Sequence, residues 1–446
     1  MKTTGRDRIG MRARQLGAAA IWIISNATRE MGVAIEQVHM TRSIADQIVV
    51  SGSNFVTGVL IARFLGIDQF GVFSLAWLVV LLFESIQAAV IAGPMLSIGP
   101  KQTKQEREEY YGIMFLEQFA FSGAAAALVA ASMLVAVSNR LPIDVGTLTA
   151  LIAVVVALQT QEFLRRYNFS RGRSGLVLLS DAVRYGTQLA ALLALFVAYG
   201  AATGVVGALL VIAGSALLGG LVLLKGRPII PHSFARLHVI VAHQVEFSKW
   251  LFGAALVQWT TGNAFLIVVG ALLGPTAVGA MRAAQNLLGV THVYFQAAEN
   301  VLSPLAARVL HEDGAPALRR LLRTTGFAFG ALTSAFCLLF AGFPDYWLTL
   351  VFGPTFEGYG LIVVGYAAVY LLLAFSVPLR LAFLAMERTQ SIFKVNVIAA
   401  AFALASSYPL VNWLGVPGAV AGVVLVHLIG LLVAIREYRR SFAVTG

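Results

Sequence analysis

Long uninterrupted apolar segments, each about the length of a membrane-spanning helix, constrain this chain more than any other feature. A bilayer core of about 30 Å requires about 20 apolar residues of helix. The segments are continuous and rich in Ala and Leu rather than alternating, which disfavours a transmembrane barrel. We therefore predict an all-α polytopic membrane protein with about twelve spans, at 46–66, 70–93, 110–137, 146–164, 176–199, 203–224, 248–272, 277–301, 323–343, 358–383, 392–411 and 416–436.

Composition supports this class. Of the 446 residues, 59% are hydrophobic and 12% are charged, whereas a soluble domain has about 45–50% apolar and about 25% charged residues. The single cysteine, Cys337, lies in an apolar segment. This excludes a disulfide within the chain and a thiolate metal site.

The basic residues orient the predicted spans. Nearly all of the 32 lysines and arginines fall before the first span, after the last, or in alternate connections, while the opposite connections hold only Arg140. Positive charge accumulates on the cytoplasmic side of membrane proteins. We therefore place both termini in the cytoplasm, and we attribute the net charge of +11 to a cytoplasmic rim rather than to nucleic-acid binding.

A short glycine pattern repeats across the chain. Leu65, Gly66 and Gly71 recur at the same spacing as Leu273, Gly274 and Gly279. Each pattern falls between the first and second helix of a predicted six-helix group, which indicates two parallel repeats with a substrate path between them. The predicted organisation is a basic arm (1–42), an N-terminal bundle (43–225), a cytoplasmic linker (226–247), a C-terminal bundle (248–437) and a basic tail (438–446).

The arm allows two other interpretations. Its basic and apolar parts have features of a signal peptide, but cleavage would leave Arg29 and Arg42 on the outer side and break the charge pattern. A start at Met31 or Met40 is the other alternative.

Three segments carry a family resemblance: "DQIVVSGSNFVTGVLIARFLGIDQFGVFSL", "GALLGPTAVGAMRAAQNL" and "FGPTFEGYGLIVVGYA". Here the chain resembles the polysaccharide flippase branch of the multidrug/oligosaccharidyl-lipid/polysaccharide exporter superfamily, although Gly360 replaces the usual alanine of the third segment. The resemblance implies a transporter in the bacterial cytoplasmic membrane. Its implied substrate is a lipid-linked oligosaccharide or polysaccharide precursor on an undecaprenyl phosphate or diphosphate, turned from the inner to the outer leaflet.

Polar stripes inside the spans mark candidate substrate-binding residues, because intramembrane ionisable groups usually face a cavity or a partner. The fifth helix places Asp181, Arg184, Tyr185 and Gln188 on one face, although Asp181 and Arg184 could instead form a structural ion pair. The polar face of the eighth helix carries Arg282, Gln285, Asn286, His292, Gln296 and Glu299. Interhelical hydrogen bonding is the alternative role for that face, and His292 is either a packing residue or a proton sensor.

The tenth helix aligns Tyr366, Tyr370 and Arg380, which either contact sugars or pack and anchor the helix. Arg63, near the outer end of the first helix, either contacts a departing phosphate or makes local interactions. Carboxylates that could couple transport to an ion are Asp46, Glu84, Glu162 and Glu299.

The sequence contains no phosphate-binding glycine loop and no zinc-ligand pattern. We therefore expect no catalytic residues, no metal and no cofactor. The main hypothesis is a flippase that works by alternating access, with membrane lipids, a glycan polymerase and glycosyltransferases as partners. The alternatives are a cation-coupled multidrug antiporter and a non-transporting scaffold subunit of a glycan-synthesis complex.

Overall fold

The computed structural model describes residues 49–138, 144–226 and 237–444, which form helices and short connections and contain no strand. The helices are α1 (49–87), a π-helical segment (Ala88–Ala92), α2 (Gly93–Ile98), α3 (Lys104–Ser138), α4 (Val145–Ser170), α5 (Ser174–Tyr199), α6 (Gly204–Leu223), α7 (Leu237–Leu273), α8 (Pro275–Gly342), α9 (Pro344–Phe352), α10 (Gly360–Ala385) and α11 (Thr389–Val444). The all-helical prediction is confirmed. The basic arm, Asp46 and residues 227–236 of the predicted linker lie outside these residues.

Eight helical stretches in the described ranges are long and apolar enough to cross a membrane. Val49–Lys101, Ser174–Leu223 and Thr389–Ser441 contain 53, 50 and 53 residues. At about 1.5 Å per residue, each is long enough for two crossings. The polytopic membrane class is therefore confirmed, and the number twelve stays a prediction.

The repeated glycines have the backbone conformation that their pattern predicts. Gly66 bends α1 with φ +78°, and Gly274 precedes α8 with φ +85°. Both values lie in the left-handed region that glycine enters without a Cβ penalty. The two glycines therefore form turns at equivalent places in the two halves.

These turns pack against each other in a reciprocal way. A Cβ on Gly71 would collide with the backbone of Pro275, and a Cβ on Gly279 would collide with the backbone oxygen of Ile67. Ile67 and Pro275 occupy equivalent positions in the two repeats, so each glycine packs against the equivalent residue of the other repeat. The Thr276 hydroxyl also donates to Asp68, 208 residues away, so the glycine spacing gives a close backbone contact between the two halves.

Candidate functional site

A cavity of about 410 Å³ opens in the first half of the chain, within the range of about 300–1,000 Å³ for ligand pockets. Its walls come from α1, the π-helical segment, the end of α4 and the middle of α5. The sequence predicts a path between the halves, whereas the described lining residues all lie between 50 and 185. The charged lining residues are Glu84, Glu162, Arg165, Arg166, Asp181 and Arg184.

Arg184 is buried in this cavity and keeps an uncompensated hydrogen-bonding group. Its Nη1 donates to Gln161 Oε1 at 2.7 Å, and its guanidinium lies 4.6 Å from the centre of the Tyr185 ring. Its Nε has no hydrogen-bond partner among the described residues. An amide oxygen satisfies a donor without neutralising the charge, so Arg184 retains both positive charge and a free donor for an anion.

Asp181 forms its ion pair with Arg165 of α4, whereas helical spacing suggested Arg184. Its Oδ2 accepts from Arg165 Nε at 2.7 Å, and its Oδ1 accepts from Gln161 Nε2 at 3.1 Å. Asp181 and Arg184 are therefore not the local ion pair that their i,i+3 spacing allows. Because Arg165 neutralises Asp181, the latter holds α5 against α4 and leaves Arg184 facing the cavity.

Two further carboxylates line the cavity in different ways. Glu162 accepts from Arg166 Nε at 2.6 Å and lies 3.4 Å from Arg165 Nη1. Glu84, on α1, is half-buried and forms no hydrogen bond or ion pair with another described residue. Three arginines and three carboxylates thus meet here, and Arg184 and Glu84 are the two charged groups not held in ion pairs.

A second polar cluster lies in the other half of the chain. Arg282 Nη1 donates to Gln285 Oε1 at 2.8 Å, and its Nη2 donates to Asn263 Oδ1 at 3.4 Å. Tyr370 Oη donates to the Gln285 backbone oxygen at 3.2 Å, which joins α10 to α8. Tyr366 is buried on the same helix. Like Arg184, Arg282 is held by amide oxygens rather than carboxylates, but it does not line the described cavity.

Gln188 and Asn286, two further predicted residues, make contacts between helices. Gln188 Nε2 donates to Thr57 at 2.8 Å, and Gln188 Oε1 accepts from Ser215 at 3.4 Å, so it joins α5 to α1 and α6. Asn286 fills the space beside Gly58 of α1. His292, Gln296 and Glu299 belong to α8, but their side chains lie outside the described part.

Arg63 and Arg380, like Arg282, do not line the cavity. Arg63 is exposed and donates to the Leu350 backbone oxygen at 2.7 Å. Leu350 is in the last turn of α9, whose terminal carbonyls lack helical donors. Arg63 therefore joins the outer end of the first helix to α9 in the other half. Arg380 is an exposed residue of α10.

Sequence reasoning missed Arg165 and Arg166 as cavity residues, and it missed Gln161, which bonds to Asp181 and Arg184. It ended the fourth span at residue 164 and counted the arginines with the cytoplasmic rim, whereas α4 continues to Ser170. Trp77 also lines the cavity and carried no polar signal. Projecting the helix beyond its apolar segment would have placed Arg165 near the stripe of Gln161.

Comparison with family profiles matches residues 60–358 to the polysaccharide biosynthesis proteins. The chain belongs to this family. The match confirms the resemblance to the polysaccharide branch of the exporter superfamily. A comparison with curated proteins finds no match.

Solved structures share the fold at low sequence identity. An inward-facing multidrug resistance MATE family transporter of the MOP superfamily has 12% identity and a TM-score of 0.72, over 89% of this chain and 95% of that one. An outward-facing MATE transporter has 13% identity and a TM-score of 0.59, over 91% and 96%. The lipid II flippase MurJ, inward closed, has 11% identity and a TM-score of 0.63, over 90% and 87%. The chain therefore has the fold of membrane transporters and flippases.

Proposed function

We propose that this protein is a flippase for a lipid-linked oligosaccharide or polysaccharide precursor carried on an undecaprenyl phosphate or diphosphate. In this proposal twelve helices form two six-helix bundles in the bacterial cytoplasmic membrane, and both termini are cytoplasmic. The protein catalyses no covalent reaction. It moves the head group across the membrane by alternating access, and the reciprocal Gly71 and Gly279 contact closes the outer side.

The observation that carries the proposal is that Arg184 has no ion-pair partner among the described residues and keeps a free N–H donor. A buried guanidinium with a free Nε–H lines a cavity large enough for a ligand. Charge-assisted hydrogen bonds to phosphate are stronger than those between neutral groups. Arg165 and Arg166 also line the cavity, but each is held by a carboxylate, so Arg184 is the arginine with charge available to a phosphate. The family match to polysaccharide biosynthesis proteins supports a glycan on that phosphate.

The test compares binding of undecaprenyl diphosphate to the wild type and to Arg184→Gln in lipid nanodiscs. Loss of a hydrogen bond to a charged group costs about 1.5–3 kcal/mol, so we expect Kd to rise roughly 10- to 150-fold. Arg388→Gln removes an exposed arginine from the connection after α10 and serves as the matched control. Equal Kd values for Arg184→Gln and the wild type would refute the anion site.

Glu84 favours a second candidate, a cation-coupled multidrug antiporter. A carboxylate without an ion pair in a membrane cavity suits a proton, a metal cation or a cationic drug. The MATE structures that share this fold are multidrug transporters by name. This function predicts that Glu84→Gln abolishes ethidium efflux from cells while undecaprenyl diphosphate still binds. The flippase proposal predicts no ethidium efflux in the wild type.

A further inference from the structure

Pro94 leaves one backbone oxygen beside the cavity without its α-helical donor. A proline at position i has no N–H for the carbonyl of residue i−4, and its ring collides with that carbonyl. For Pro94 this carbonyl belongs to Val90. The backbone here widens into the π-helical segment Ala88–Ala92, in which the Gly93 N–H donates to the Ala88 oxygen. Ala88, Ile91 and Ala92 of this segment line the cavity.

A side chain from the second half of the chain supplies the missing donor. Gln244 lies in the first part of α7, which begins at Leu237 inside the predicted linker, and its side chain is buried. Its Nε2 donates to the Val90 oxygen at 2.8 Å and to Glu117 Oε2, on α3, at 2.5 Å. Ser248, one turn further along α7, also donates its hydroxyl to the Val90 oxygen, at 3.4 Å. One amide thus joins α7 to two elements of the first half.

Breaking the contact between α7 and Val90 would cost free energy, because it would remove hydrogen bonds from a backbone oxygen. An unsatisfied buried backbone oxygen is costly, and Pro94 has no N–H with which to form the α-helical bond to Val90. When α7 moves away, the Val90 oxygen loses both of its side-chain donors, Gln244 and Ser248. Movement between the two halves is therefore linked to the shape of the cavity wall at residues 88–92.

We propose that Gln244 is a positioning residue. It holds α7 of the second half against the first half by donating a hydrogen bond to the Val90 carbonyl, which Pro94 leaves without an α-helical donor. The transport consequence rests on the proposed function, because it requires alternating access. The effect on the distance between the halves does not rest on it, since that distance is measured without substrate.

The test is a double-mutant cycle between Pro94→Ala and Gln244→Leu. Spin labels at Lys101→Cys and Thr389→Cys, with Cys337 replaced by Ala, report the distance between the halves in nanodiscs without substrate. We expect Gln244→Leu to change the population of the wild-type distance about tenfold, because the Val90 oxygen loses the shorter of its two side-chain hydrogen bonds. Pro94→Ala restores an N–H for Val90, so the same substitution in that background should change the population less than about twofold.

Gln258→Leu is the matched control, because Gln258 is an exposed residue of α7. Gln244→Glu keeps the side-chain length but removes both N–H donors, and it should shift the distance as Gln244→Leu does. It also replaces Gln244→Leu if that variant does not fold. An unchanged distance in Gln244→Glu, or equal effects of the Gln244 substitution with and without Pro94, would overturn the proposal. Loss of undecaprenyl diphosphate binding in Arg184→Gln tests the proposed function separately.

Discussion

Substituting Gly71 by alanine should force apart the two turns that join the halves. Gly71 is helical and fully packed, and an added Cβ would lie 3.0 Å from Pro275 Cα and closer still to its carbonyl group. Ordinary contacts begin near 3.4 Å, and the obstructing atoms are backbone, which cannot adopt another rotamer. Overpacking costs typically about 1–3 kcal/mol, and we expect the upper value, about 150-fold in the equilibrium between contact and separation.

A disulfide measures this separation. The Thr276 hydroxyl contacts the Asp68 carboxylate, so cysteines at positions 68 and 276, with Cys337 replaced by Ala, should lie side by side and form a disulfide on oxidation. Adding Gly71→Ala should slow cross-linking strongly, and Gly279→Ala should act in the same way from the other half. The control is Gly186→Ala, because a Cβ there meets nothing within 4 Å. Equal cross-linking rates with and without Gly71→Ala would refute the reasoning.

Three other substitutions test individual contacts. Asp181→Ala should lower the free energy of unfolding in detergent by about 1.5–3 kcal/mol, because Arg165 loses its 2.7 Å bond to a carboxylate and keeps Glu162 at 3.4 Å. Glu246→Ala, which breaks an exposed pair with Lys249, should cost less than about 1 kcal/mol. Arg63→Ala should leave undecaprenyl diphosphate binding unchanged, since Arg63 contacts Leu350 rather than the cavity, and a weaker Kd would contradict this placement. Hydrogen bonds from Thr147 and Gly146 hold the pKa of Asp144, the N-cap of α4, below its ordinary value. Its contribution to stability is therefore present above the ordinary aspartate pKa and lost as pH falls through the lowered pKa. Asp144→Asn keeps the cap and should reduce the change of unfolding temperature with pH between roughly pH 6 and pH 3. A pH dependence equal to that of the wild type would contradict the assignment.

The sequence predicted the helical class and the membrane location, because burial of apolar segments about 20 residues long leaves few other structures for a backbone in lipid. It also placed the two glycine turns at equivalent positions, since positive φ is a local property of the residue type. Periodicity likewise placed Asp181 and Arg184 on one face of α5, because faces of one helix follow from 3.6 residues per turn.

Only the tertiary structure decided which groups meet across helices. Periodicity gives the face of a residue but not the register or crossing angle of the neighbouring helix, so the pairing of Asp181 with Arg165 could not be read from spacing. The same holds for Gln244, which the sequence shows in a polar segment and the fold places against Val90, 154 residues away. The sequence determined that Pro94 would leave a carbonyl without a donor, and the packing of α7 determined which side chain supplies one. The charge state of the cavity follows from these pairings, because a carboxylate held by one arginine leaves the next arginine available for a ligand.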